Sequence, residues 1–388
     1  MIKVCHIITE LELGGAQQNT LYTVSHLDRA RFDPVLIAGA SGPLVEEART
    51  GSARTIFLDD LRREVSPLRD SAALFKLTRL LVRERPGIVH THSSKAGILG
   101  RWAALFARVP HVVHTIHGYG FHVEQPWAVR RIFVALERIT ARRATSAFIA
   151  VSRANLKTGL ELGLFTPDHV SLIHSGIRRS DFSAPDRRDG NGRHVTIGMV
   201  ACLKRQKAPL DFVRVAAKVL AGTPDREVRF VLVGDGALRR RVEAMIRSEG
   251  LESRVELLGW RRDVPQLLAR WDILLHTSRW EGLPRVFPEA MASGLPIVAT
   301  AVDGASEAIE DAETGFLLAP GDVEGLARRT LELVRDPALR LRMGRLASSR
   351  TRPWDIDDMV RRQERLYLGL VEGTTVGGVA RSTQMEAG

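Results

Sequence analysis

Cysteine is nearly absent. Two residues, Cys5 and Cys202, leave no disulfide framework and no cysteine zinc site, and each is expected in a buried strand. Aromatic residues make up 6% and do not interleave with a basic run, which argues against a nucleic-acid surface despite the net charge of +11. That charge suits anionic lipid or polyphosphate ligands, although arginines scattered through every helix by base composition explain it equally well. No apolar run reaches the ~18–20 residues that span a bilayer. The opening MIKVCHIITE alternates like a strand and lacks a signal peptide's long apolar centre, so a cytoplasmic protein is expected. The first strand–helix turn, LELGGAQQNT, is not G-x-G-x-x-G, which argues against a dinucleotide dehydrogenase.

What is present is alternation. Strands are expected at 3–9, 35–40, 54–58, 88–92, 111–116, 147–151 and 170–174, with helices at about 16–26, 68–85, 95–108, 126–144 and 153–162. Such a pattern builds a parallel, doubly wound α/β sheet. At 388 residues the chain is long for one domain. SAPDRRDGNGRH, residues 183–194, is the clearest linker, so the expected division is 1–183 and 184–353. A helix at 354–371 and a disordered tail at 373–388 complete the reading.

The most informative stretch is SRWEGLPRVFPEAMASGLPIVAT, 278–300. An apolar run, Trp271 to His276, precedes it as a buried strand. The loop Arg279–Arg285 then enters a helix with Pro288 in its first turn, where a missing N–H costs nothing. Gly294 closes the helix and the next strand follows. Glu281 lies in the loop and Glu289 in the first helical turn, seven residues between them. A helix N-terminus suits a diphosphate. A carboxylate beside it can accept two hydrogen bonds from the vicinal hydroxyls of a ribose, and the loop carboxylate can do the same for a sugar. Taken singly, either carboxylate is explained as a complement to the helix dipole.

The whole string, Glu, seven residues, Glu, then Ala-Met-Ala-x-Gly-x-Pro, resembles the signature of the retaining glycosyltransferases of family 4, a group acting in bacterial surface polysaccharide and glycan assembly. The resemblance covers about 1–370. It implies the GT-B fold: two Rossmann-like domains facing across a cleft, with a C-terminal helix, RPWDIDDMVRRQERLY, crossing back to the first. It also implies roles. The loop Gly14-Gly15, followed by Gln17 and Gln18, closes over the donor diphosphate, with Gln18 towards the acceptor. His117, in the His-Gly pair of VVHTIHGYGF, faces the donor sugar near its reacting carbon. Lys207 stabilises the donor diphosphate, Gly259 meets the nucleobase, and Gly234, Gly282, Leu283 and Glu289 complete the donor site. This chain departs from the pattern at two places: Cys202 stands where an Arg is usual, so that either Lys207 works alone or Arg205 covers for the lost charge, and Ala208 replaces a Gly.

The string IVHTHSSKAGILGRWAA places His92 and Lys95 at a strand end and helix start, an acceptor-side anion site or simply a capped helix with an exposed lysine. His90, His92, His111, His114, His117 and His122 crowd this region, but their spacing is strand and loop and no fixed carboxylate accompanies them, so no metal is expected. No Asp-x-Asp loop follows a strand either; Asp355-Ile356-Asp357 belongs to the terminal helix. The resemblance therefore implies metal-independent, cofactor-free transfer of a sugar, with retention, from a UDP- or GDP-sugar to an acceptor hydroxyl. The expected acceptor is a lipid-linked glycan at the inner face of the plasma membrane. PWAVRRIFVALERITARRA, 126–144, is a basic amphipathic helix that suits this, or an ordinary helix with its apolar side on the sheet. Transfer to a soluble sugar or metabolite, or nucleotide-sugar binding without catalysis, are the alternatives.

Overall fold

Short apolar runs that alternate with amphipathic helices can satisfy their backbones only as parallel sheets covered on both faces. The computed structural model describes residues 1–122, 124–183 and 194–374 and contains two such sheets. The chain divides into two compact units, one of Met1–Gly176 together with the chain from Ile356 on, the other of Ile177–Asp355.

The first unit holds β1 (Ile2–Ile8), β2 (Phe32–Ala38), β3 (Arg54–Phe57), β4 (Ile88–His92), β5 (His111–Ile116), β6 (Ala147–Ala150) and β7 (Val170–Leu172). They are all parallel and run in the order β3-β2-β1-β4-β5-β6-β7. The second holds β8 (His194–Val200), β9 (Glu227–Val233), β10 (Val255–Gly259), β11 (Ile273–His276), β12 (Ile297–Thr300) and β13 (Gly315–Leu318), again parallel, in the order β10-β9-β8-β11-β12-β13. Strand order therefore reverses between β1 and β4 in one sheet and between β8 and β11 in the other. Crevices at such switch points are where open α/β sheets bind ligands.

The helices follow the expected spans closely: Gly15–His26, Pro67–Glu84, Ser94–Phe106, Trp127–Ala144 and Arg153–Glu161 in the first unit. One short helix, Val45–Thr50, has no counterpart in the sequence reading, because six residues are too few to show a period. Cys5 is buried in β1, but Cys202 lies in the loop after β8 and is only half-buried. The linker residues 184–193 and the tail from 375 lie outside the described residues.

Where the chain passes between units, two segments run side by side. Ile177 donates to the Trp354 carbonyl at 2.8 Å and bridges Asp355. Gly176 must be glycine: a Cβ there would lie 2.4 Å from Ile356 Cα. The returning helix is Ile356–Glu372, preceded by a 3-10 turn at Arg352–Trp354 that Pro353 opens. It buries Ile356, Met359, Val360, Gln363, Leu366 and Tyr367, the stripe of an amphipathic helix, against Val4, Phe32, Ile88 and Val113 of the first sheet.

Candidate active site

In the second unit the loops after β8 and β11, the two strands flanking the switch point, are tied together. Gln206 donates to the Trp280 carbonyl at 2.9 Å, and the Arg279 N–H returns to the Gln206 carbonyl at 2.8 Å. Thr277 Oγ1 donates to the Lys207 and Ala208 carbonyls, each at 3.0 Å. These bonds bring Lys207 against Glu281 in a short ion pair, with both side chains largely buried. Ser278 Oγ donates to the same Glu281 oxygen at 2.6 Å, and His276 Nε2 approaches it at 3.3 Å. The Glu281 N–H donates to Asp303 at 2.6 Å. Burial works to raise the Glu281 carboxyl, but the Lys207 charge and the His276 hydrogen bond outweigh it and hold the group well below the usual carboxylate range. Glu281 is thus a fixed anion.

Glu289 occupies the first turn of the helix Val286–Ala292 and pairs with Arg285 Nε at 3.2 Å. Burial pushes its carboxyl upward against the opposing pull of Arg285. Gly282 and Leu283 lie in the connecting loop, where the Gly282 carbonyl accepts from the Gly304 N–H at 3.0 Å. Arg205 is exposed on the turn that carries Lys207. Ala208 sits at φ +44°, ψ 52°, the left-handed conformation that a glycine adopts at no steric cost, which accounts for the residue usual there. Gly234 and Gly259 meet: the Gly234 N–H donates to the Gly259 carbonyl at 2.8 Å. Gly234 is at φ +128°, and a Cβ would lie 2.0 Å from the Ala201 carbonyl oxygen. Gly234→Ala is therefore expected to destabilise the protein by roughly 1–3 kcal/mol, read as a lower denaturation midpoint; an unchanged midpoint would contradict the tight turn.

In the first unit the switch point lies between β1 and β4. Gly14 and Gly15 open the helix after β1, and Gln18 is half-buried in its first turn. Gly14 has an ordinary extended φ of −132°, so its torsion does not demand glycine. Lys95 forms a short ion pair with Asp70 and donates to the Glu64 carbonyl, so its charge is already compensated. Ser93, just before it, holds φ +62°, ψ 162°, a strained conformation for a non-glycine residue at a strand–helix junction. His92 is not free either. It lies buried in a set of aromatic side chains with His6, His90, His117 and Tyr367, among which His6, His90 and His92 bring ring nitrogens within 4.8 Å of one another. Burial depresses all four imidazoles, His6 to about 3 and His117 to about 4, so they are neutral at physiological pH. His111, His114 and His122 stand apart from that set; His114 Nδ1 instead meets Thr91 Oγ1 at 2.9 Å.

The helix Trp127–Ala144 turns Val134, Thr140, Ala141 and Ala144 inward. Its large apolar residues Trp127, Ile132 and Ile139 are 72%, 67% and 52% exposed, and Leu136 is exposed with them. Ile132, Leu136 and Ile139 share one helical face, flanked by the exposed Arg131, Arg138 and Arg142. The helix therefore packs inward through its smaller residues and leaves its larger apolar ones outside its own unit's core. No described helix is long and apolar enough to cross a membrane.

Comparison with known proteins decides what this pair of switch-point sites belongs to. Residues 13–181 match the Glycosyltransferase Family 4 profile, and 194–336 match Glycosyl transferases group 1. Over 380 residues, 95% of this chain and 97% of the relative, the sequence is 31% identical to the UDP-Gal:alpha-D-GlcNAc-diphosphoundecaprenol alpha-1,3-galactosyltransferase of Escherichia coli. The chain is a family 4 glycosyltransferase.

Solved structures give this glycosyltransferase the GT-B fold. Anabaena HepE in complex with UDP and glucose superposes with a TM-score of 0.79 at 22% identity, covering 94% of this chain and 99% of that one. Sucrose-phosphate synthase of Thermosynechococcus elongatus gives 0.80 at 19%, covering 96% and 100%. The family 4 motif was readable in sequence, but its supporting residues were not. His276 and Ser278 had one available signal, a polar His-Thr-Ser ending an otherwise apolar strand just before Glu281. Asp303 and Tyr367 had none, since only the fold brings them to their partners.

Proposed function

We propose that this glycosyltransferase transfers a sugar, with retention, from a UDP-sugar to a hydroxyl of a lipid-linked glycan diphosphate at a membrane surface. The observation that carries the reading is the near full-length likeness to an enzyme whose name specifies a UDP-Gal donor and a GlcNAc-diphosphoundecaprenol acceptor. The exposed apolar and arginine face of Trp127–Ala144 supports it, as a surface that anionic lipid would cover.

In this reading Glu289 holds the ribose hydroxyls and the fixed anion Glu281 holds hydroxyls of the transferred sugar. Lys207 reaches the donor diphosphate, assisted by Arg205. Gly234, Gly259, Gly282 and Leu283 line the donor, with Gly14 and Gly15 closing over its phosphates. His117 lies beside the sugar's reacting carbon; Gln18, His92 and Lys95 lie on the acceptor side. The bond from the anomeric carbon to the diphosphate breaks as the acceptor oxygen bonds to the same face, and the acceptor's proton passes to the departing diphosphate. No protein nucleophile enters; the protein contributes positioning and fixed charge.

The test is transfer from UDP-sugars to a polyprenyl-diphosphate-linked GlcNAc in anionic vesicles, with and without excess EDTA. The expected result is an α-linked product formed equally well in both, since Lys207 supplies the charge a divalent cation would. Loss of activity restored by magnesium or manganese would overturn metal independence. Equal transfer to a soluble sugar would overturn the lipid-linked acceptor.

A further inference from the structure

The buried histidines form one hydrogen-bonded chain. His117 Nε2 meets His92 Nδ1 at 3.2 Å, and His92 Nε2 meets His6 Nδ1 at 3.0 Å. His6 Nε2 faces the Tyr367 hydroxyl at 3.4 Å, the longest link. That hydroxyl meets His90 Nδ1 at 2.5 Å, and His90 Nε2 meets Thr115 Oγ1 at 2.7 Å. The groups come from β1, β4, β5, the loop after β5 and the returning helix. All the imidazoles are neutral, so each carries one proton, as do the two hydroxyls.

Six protons and five links leave little freedom. A link with two protons clashes and one with none is lost, so every link is filled only when all groups donate in the same direction. The buried Thr115 Oγ1 has His90 Nε2 as its partner among the described residues, and of the two filled directions only the one in which Thr115 donates there leaves no hydroxyl proton stranded. His90 must then carry its proton on Nδ1 and donate to the Tyr367 oxygen. The Tyr367 proton turns to His6 Nε2; Gln363 Oε1, at 3.5 Å on the same helix, is a poorer acceptor. His6 donates from Nδ1 to His92, and His92 from Nδ1 to His117 Nε2. One proton is left over, on His117 Nδ1.

We propose that Tyr367, with His6, His90, His92 and Thr115, is a positioning residue that fixes His117 as its Nδ1–H tautomer, so that this nitrogen faces the substrate as a hydrogen-bond donor. The hydroxyl that relays this order from Thr115 and His90 to His6 thus comes from the returning helix, far along the sequence from His117. A neutral imidazole held as a donor stabilises a sugar hydroxyl or a developing negative charge without adding a proton to the site, as the second nitrogen's partner dictates. The inference rests on the reading of His117 as the residue beside the donor sugar.

Two kinds of measurement separate the inference from that reading. Long-range proton–nitrogen correlation on 15N-histidine-labelled full-length protein, with His117 assigned by its loss in His117→Gln, should show Nδ1 protonated and Nε2 not. Tyr367→Phe removes the middle of the chain, and Thr115→Val removes its terminal donor should the first variant fold poorly. In either, His117 should become a mixture of tautomers. Turnover should fall about fivefold to tenfold with the donor KM unchanged, the size of one lost hydrogen bond. Tautomer changes accompanied by full activity in His117→Gln would keep the chain and remove His117 from the sugar. Protonation on Nε2 in the wild type would overturn the inference; a water taking the Thr115 proton in the cavity beside it, about 10 Å³, would give that result. An unchanged tautomer in both variants, or stoichiometric zinc bound by His6, His90 and His92, would overturn it as well.

Discussion

Lys207→Ala and Glu281→Ala are expected to cost about 3 kcal/mol of stability each, while the double variant should cost little more than either alone. Each single change leaves one buried charge without its counter-charge, and the double change removes both. Additive losses would mean that the two side chains are solvated independently. All three variants should lose at least ~100-fold in turnover, as sites do when a fixed charge or donor is taken from a reacting centre. The acid side carries a further sign. Because the Glu281 carboxyl in the folded protein lies below its unfolded value of ~4.3, its contribution is full above that pH and fades as pH falls below it. The stability gap between wild type and Lys207→Ala should therefore narrow in acid, and a gap that widens would exclude the pair as its source.

Anionic vesicles should bind the wild-type protein at low salt and release the double variant Ile132→Asp/Leu136→Asp. Each of these exposed side chains is worth about 1.5–3 kcal/mol on transfer to hydrocarbon, so losing both predicts at least a hundredfold weaker binding. Raising salt from 0.1 M to 1 M shortens the screening length from about 10 Å to about 3 Å and should weaken the wild type through Arg131, Arg138 and Arg142. Activity on a water-soluble, short-chain analogue of the diphosphate-linked acceptor should be unaffected, because the helix turns these residues away from its own unit's core. Unchanged vesicle binding in the double variant would remove this face as the contact.

The fold was legible because parallel strands buried on both faces leave a strong, repeated mark. β4 and β5 were read to the residue, and the amphipathic helix spans to within about two. The candidate site was legible only where function imposes a local string, as around Glu281 and Glu289. His92 and Lys95 show the opposite. Sequence presents them as a cation and an imidazole at a helix start, whereas Asp70 and His6, distant in sequence, take up their bonding capacity. The helix Trp127–Ala144 was ambiguous for a physical reason too: periodicity reports two faces but not which one meets solvent.

The passage of the chain out of the first unit at Gly176 and back at Ile356 has a consequence for synthesis. During translation 179 residues separate the two parts of that unit, the span Ile177–Asp355. At ~5–20 residues per second the earlier part waits roughly 10–40 s for the helix that carries Tyr367. Over that interval the apolar face formed by Val4, Phe32, Ile88 and Val113 lacks its returning helix and His6 and His90 lack the Tyr367 hydroxyl. The first unit can therefore complete its fold only after the whole of the second has been synthesised.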